Sequence, residues 1–160
     1  MTTDPYARLA ELGLELPTVV PPVAAYVPAV QTGNHVYVSG QLPMVDGQLQ
    51  ATGKVGAQVD VDRAKALARI CALNALAAAA SVAGGLSGIT RIVKVTGFVA
   101  SSPDFTDQAL VVNGASELLV EVFGEAGQHA RSAVGMAVLP RDTPVEVELI
   151  AEVAPAAGAA

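Results

Sequence analysis

Residues 127–153 read GQHARSAVGMAVLPRDTPVEVELIAEV, and strand parity within this stretch decides the fold. Successive side chains of a strand point to opposite faces of a sheet. Val145, Val147, Leu149, Ala151 and Val153 therefore share one face of the last strand, and Glu146, Glu148, Ile150 and Glu152 share the other. In the strand before it, read as its partner, the same alternation predicts an apolar face of Ser132, Val134, Met136 and Val138. Arg131, Ala133, Gly135 and Ala137 are then left on the glutamate face. An arginine among side chains that small marks a lined hollow or a subunit interface.

Working outward, RIVKVTGFVA (91–100) reads as a strand with Val93, Val95 and Val99 under helices and Lys94, Thr96 and Phe98 on the second face. HVYVSGQ (35–41) adds His35, Tyr37, Ser39 and Gln41 to that face. YVPAVQTGNHVYVSGQ reads as a hairpin turning at Thr-Gly-Asn. Asp4 and Pro5 form an N-cap and N1 pair for a short first helix that Gly13 and Pro17 close. A long helix is predicted from about Asp62 to Ala83, with Leu67, Ile70, Cys71 and Asn74 on one stripe, and Gly84 and Gly85 stop it. A second helix is predicted from about Phe105 to Phe123, ended by Gly124. The order predicts an α+β fold, a mixed sheet with two main helices packed on one face. One domain accommodates 160 residues: an N-terminal helical extension over 1–19, the main unit over 20–154 and a disordered tail over 155–160.

Composition excludes several function classes. Nine basic residues against fifteen acidic ones give a net charge of −6, and there is no Trp; a nucleic-acid partner would need a basic patch and stacking aromatics. Two histidines and the single Cys71 make no metal-ligand pattern. The N-terminus lacks the apolar core of a secretory signal. The apolar run Ile70–Ala83 is shorter than the ~20 residues of a membrane span. The expectation is a cytoplasmic protein that contacts neither membrane nor nucleic acid. Charged residues reach only 15%, against ~25% in an ordinary soluble domain, which predicts that another subunit covers part of the surface.

These segments resemble the RidA/YjgF/YER057c/UK114 family. ARSAV, followed after LP by VEVE, is similar to its C-terminal signature. VYVSGQLP is similar to its SGQ strand, AYVPAVQTGN to the Tyr-containing strand ahead of it, VKVTGFVASSPDF to its central strand and VVNGASELLVEVFGE to its Asn-bearing helix. The resemblance runs in order over residues 20–153. It implies a chorismate mutase-like fold, assembled as a homotrimer with one ligand site in each intersubunit cleft. The implied activity is hydrolysis of reactive 2-imino and 2-enamino acids to 2-keto acids and ammonia, with no cofactor and no metal.

Position by position, Arg131 matches the arginine that clamps the substrate carboxylate, and Glu146 the glutamate near the attacking water. Ser39 and Gly40 lie in the matching SG segment, Tyr26 and Asn113 match pocket positions, and Lys94 matches a basic residue of the central strand. Phe98 lines the same face. Ala133 stands where the archetypal branch carries Cys, which changes the pocket's shape and polarity. A non-catalytic binder of small carboxylates, or a stress-linked interaction protein using the same cleft, is the alternative reading. An endoribonuclease, a third activity attached to the family name, conflicts with the acidic charge.

Other residues read as structural. Ser39 has no histidine partner and is expected to bond locally. His129, two residues before Arg131, reads as a solvated or capping side chain ahead of a pocket-shaping one, and Cys71 as a buried inert thiol.

Overall fold

The computed structural model describes residues 4–19 and 25–154; the 155–160 tail and residues 20–24 lie outside them. Three helices, α1 (Pro5–Glu11), α2 (Val61–Val82) and α3 (Gln108–Phe123), accompany seven strands: β1 (Ala29–Thr32), β2 (His35–Val38), β3 (Met44–Val45), β4 (Gln48–Leu49), β5 (Ile89–Ala100), β6 (Ala130–Met136) and β7 (Val145–Val153). Side-chain caps start two of the helices. Asp4 accepts from the Tyr6 N–H at 3.1 Å and Asp60 from the Arg63 N–H at 2.7 Å, each satisfying a donor that helix geometry leaves orphaned.

The main sheet has the order β1-β2-β7-β5-β6, and β3-β4 form a separate hairpin. The two-residue turn between β1 and β2 puts Gly33 at φ +57, as a type II′ hairpin turn requires at its first central position. All pairings in the main sheet are antiparallel except β5 with β6, which α3 connects as the crossover a parallel pair needs.

Parity in β7 is as read: Val145, Val147, Leu149, Ala151 and Val153 are buried and the alternate residues half-buried. The buried set joins Leu67, Cys71 and Leu76 of α2 and Val111, Ala115 and Leu118 of α3 in one core. By length and composition α2 could cross a membrane, because the helix extends well beyond Ile70–Ala83. Its Ala64, Leu67, Ala68, Ala75 and Leu76 are instead packed into the protein core.

Three readings are corrected. β6 does not pair with β7; it lies beyond β5 at the sheet edge. Its parity is inverted, since Arg131 sits opposite the buried Val95 and Ser132 opposite Thr96. Arg131, Ala133 and Gly135 thus face α3, while Ser132, Val134 and Met136 lie on the open face with Lys94, Thr96 and Phe98. In β5, a register shift between Ile92 and Lys94 buries Ile92 fully and leaves Val93 half-buried.

Two glycines bring α3 close. A Cβ on Gly97 would overlap Val112 of α3, and one on Gly114 would overlap the Lys65 carbonyl of α2. Asn113 is held between these two contacts.

Candidate functional site

Ala109, Asn113 and Ser116 are spaced i, i+4 and i+7 along α3, so they form one stripe, and that stripe meets Arg131 on β6. Arg131 Nη1 donates to Asn113 Oδ1 at 2.8 Å and to Ser116 Oγ at 3.2 Å, and Nη2 donates to the Ala109 carbonyl at 3.4 Å. All three acceptors are neutral. Among the described residues no carboxylate lies within ion-pair distance of Arg131; the ion pairs are Arg8–Glu11, Lys65–Glu117 and Arg69–Glu121. A guanidinium has five N–H donors, and the contacts with Asn113, Ser116 and Ala109 engage three of them. The Nε–H and one Nη2–H are left, which together make the fork that a carboxylate accepts in bidentate fashion.

His129 completes this cluster. Its Nδ1 is 2.6 Å from the Gly127 carbonyl and its Nε2 is 2.9 Å from Ser116 Oγ. Burial, then the nearby Arg131 charge, hold its pKa below the ordinary histidine range, opposed by the Gly127 hydrogen bond. The solvated reading of His129 is therefore corrected, whereas its bond to the last carbonyl of the Gly124–Gly127 turn agrees with the capping one. The signal for Ser116 and His129 was in the chain: a Ser three residues after Asn113 on an apolar helix, and a His two residues before Arg131.

A second group lies on the open face. Glu146 stands opposite Phe98 in register and against Gly40, where any Cβ would overlap its Oε1. Burial first, then the charge of Glu148, push its carboxyl above the usual glutamate range. Lys94 Nζ donates to Ser132 Oγ at 3.0 Å beside a hollow of about 180 Å³ lined by Tyr37, Thr96, Glu148 and Ile150. That is smaller than the ~300 Å³ at which small-molecule pockets begin.

The remaining predicted residues are placed as follows. Ser39 Oγ donates to the Val27 carbonyl at 2.7 Å, a local bond. Tyr26 is 56% exposed in the segment before β1 rather than within a strand. Ala133 packs against the core. Burial, then the Glu146 charge, push the Cys71 thiol well above its usual value, as an inert thiol requires.

Arg131 and Glu146 do not converge within one chain. They lie two strands apart at about 4.8 Å each, three residues apart along the strands at about 3.3 Å each, and on opposite faces. A broader groove of about 1120 Å³ runs between α1, the Leu86–Gly88 turn and the end of α3. Among the described residues its lining cation is Arg8, which is engaged by the Glu121 carbonyl and by Glu11.

Comparison with known proteins identifies the family and its fold. The family model described as YjgF/chorismate mutase-like, a description that also carries an endoribonuclease label, matches residues 6–153. The chain is 45% identical to protein TCP17 of Trypanosoma cruzi, over 91% of its own length and 92% of that protein's. A protein of unknown function from Agrobacterium tumefaciens shares its structure with a TM-score of 0.87 at 50% identity, each chain 94% covered. The Escherichia coli protein provisionally named reactive intermediate deaminase TdcF is 31% identical over 81% of this chain and 87% of its own length. Its serine-bound crystal structure aligns with a TM-score of 0.61 at 29% identity, over 84% of this chain and 92% of that one. The match takes in all of α1 but Pro5, and the chain belongs to the RidA/YjgF family.

Proposed function

We propose that this protein hydrolyses reactive 2-imino and 2-enamino acids to 2-keto acids and ammonia in the cytoplasm, at a site shared between subunits of a homotrimer. The observation that carries the proposal is Arg131: an oriented guanidinium with neutral partners, no carboxylate and a free bidentate edge. The names of relatives such as TdcF support the same reading. Residues 20–154 are the working unit, with α1 as an addition packed on α3.

The reaction asks little of the protein. Arg131 holds the substrate carboxylate and so fixes the imine carbon. Water adds to that carbon, and the resulting carbinolamine expels ammonia and leaves the keto acid. Glu146 suits the role of accepting the water's proton, since a carboxyl raised by burial is a stronger base than a solvated one. Because Glu146 and Gly40 lie far from Arg131 in one chain, the neighbouring subunit supplies them. Tyr26, Ser39, Lys94 and Phe98 line that neighbour's side, and Asn113 orients Arg131. Neither metal nor cofactor takes part.

A second reading, binding without turnover, draws support from Ala133. The side chain after Arg131 on the same face is an apolar methyl packed on the core, with no group to transfer a proton. Ribonuclease activity is disfavoured by the net charge of −6. Keto-acid release from enzymatically generated 2-iminobutanoate decides between the readings. Acceleration that Arg131→Ala abolishes supports the deaminase; binding of 2-oxobutanoate without acceleration supports the binder. Neither binding nor acceleration overturns both.

A further inference from the structure

Behind Arg131 lies a layer of polar groups that the proposed reaction does not use. The Gly127 carbonyl can only accept, so the 2.6 Å contact puts the His129 proton on Nδ1. Nε2 of the neutral ring is then an acceptor, and the Ser116 hydroxyl, 2.9 Å away, donates to it. With its hydrogen committed, Ser116 Oγ turns a lone pair to Arg131 Nη1 at 3.2 Å. The bonds run one way, from Arg131 through Ser116 and His129 to the Gly127 carbonyl. Each acceptor is fixed by the donor role it plays next.

From this relay we infer that His129 is a positioning residue that acts through Ser116 to set the Arg131 guanidinium, and that it couples carboxylate binding there to a proton. The inference rests on the reading of Arg131 as the carboxylate-binding group. When the ring gains a proton, Nε2 becomes a donor. Ser116 must turn its hydrogen away toward the helix backbone, and its oxygen then receives N–H groups from two cations. An unliganded Arg131 opposes that second charge. A bound carboxylate offsets it, so ligand and proton favour one another, and by reciprocity the proton strengthens the ligand.

The surroundings leave Arg131 as the charge that matters. It is the charged group that perturbs His129. Glu117, next to Ser116, is paired with Lys65 at 2.8 Å. Lys94 bonds Ser132 on the open face, and Glu125 is an exposed residue of the turn after α3. None of these hydrogen-bonds the ring.

The test is calorimetric titration of the full chain with 2-oxobutanoate, whose carboxylate stays ionised, from pH 8 to pH 5 in buffers of differing ionisation enthalpy. Affinity should rise by about fivefold as pH falls, the low end of typical coupling, with net proton uptake on binding. In a Glu146→Gln background, which removes the other carboxyl that would titrate at the shared site, His129→Gln keeps an acceptor for Ser116 but does not titrate, so it should flatten the profile and abolish proton uptake. Ser116→Ala should weaken binding by about fivefold at pH 8, the equivalent of one ordinary hydrogen bond. Nitrogen NMR of the ligand-free protein should show the Nδ1–H tautomer, and Arg131→Ala should raise the His129 pKa. Binding with a flat profile, or an Nε2–H tautomer, would overturn the relay and leave the carboxylate site standing. Failure to bind 2-oxobutanoate at any pH would overturn both.

Discussion

Arg131 gains its specificity from what surrounds it. Asn113, Ser116 and the Ala109 carbonyl take the inner hydrogens and leave one edge for a ligand, a geometry lysine cannot reproduce with a point charge. Truncating one member of a desolvated charge pair costs about 2–5 kcal/mol. Arg131→Ala should therefore weaken 2-oxobutanoate at least about tenfold in calorimetry, and unchanged affinity would move the site elsewhere. Glu146 gives a separate, pH-dependent prediction. Its native pKa lies above the ordinary value, so the folded protein holds this proton more tightly than the unfolded chain. Stability then falls as pH rises from the unfolded value through the native one. Glu146→Gln should raise the melting temperature at pH 7, have little effect near pH 4, and lower turnover at roughly constant affinity. A lower melting temperature at pH 7 would mean that the ionised carboxylate is stabilised by an assembly partner.

At the level of elements, legibility depended on which strand carried its apolar residues inward. β7 did, and its alternation gave the face, the core and the place of Glu146 on the open face directly. β6 did not: its inward positions are Arg131, Ala133 and Gly135, and its larger apolar residues Val134 and Met136 point outward. Alternation alone therefore assigned it the wrong face. Its placement is set by parallel pairing with β5, a long-range choice that no local pattern records. The contact of Arg131 with α3 was hidden for the same reason, although Asn113 and Arg131 were each identified as site residues. Gly114 shows how finely α3 is positioned, because a methyl there meets the Lys65 backbone of α2, which cannot rotate away. Gly114→Ala should cost about 1–3 kcal/mol as an overpacked contact, at about 2–4 °C of melting temperature per kcal/mol. It should also weaken 2-oxobutanoate binding, since Asn113 moves with the helix. A variant as stable as the parent would show that α2 and α3 separate freely here.

For the molecule as a whole, the open face of the sheet poses the question of assembly. Val30, Tyr37, Val134 and Met136 are each at least 37% exposed there, with Phe98 and Ile150 half-buried among them, and an apolar surface of that kind marks an interface. Homotrimer formation would cover it and bring the Arg131 half of one site to the Glu146 and Gly40 half of the next. Light scattering should give about three times the 16.1 kDa chain mass. Val134→Glu, which introduces a charge on this face without touching the core, should yield a folded species of lower mass with little turnover. Mixed subunits give the sharper test. Arg131→Ala and Glu146→Gln chains are each expected to be inactive alone, but if every site draws its two halves from different subunits, randomly co-assembled trimers contain some intact sites. With equal mixing, each half is intact in one subunit of two, so about one site in four should recover, a consequence of cyclic symmetry. Keto-acid release near a quarter of the parent rate, after joint unfolding and refolding of the two variants, would establish the shared site. If mixing restores nothing although mixed trimers form, both halves act within one chain, and the sheet face must approach α3 by a rearrangement of the monomer.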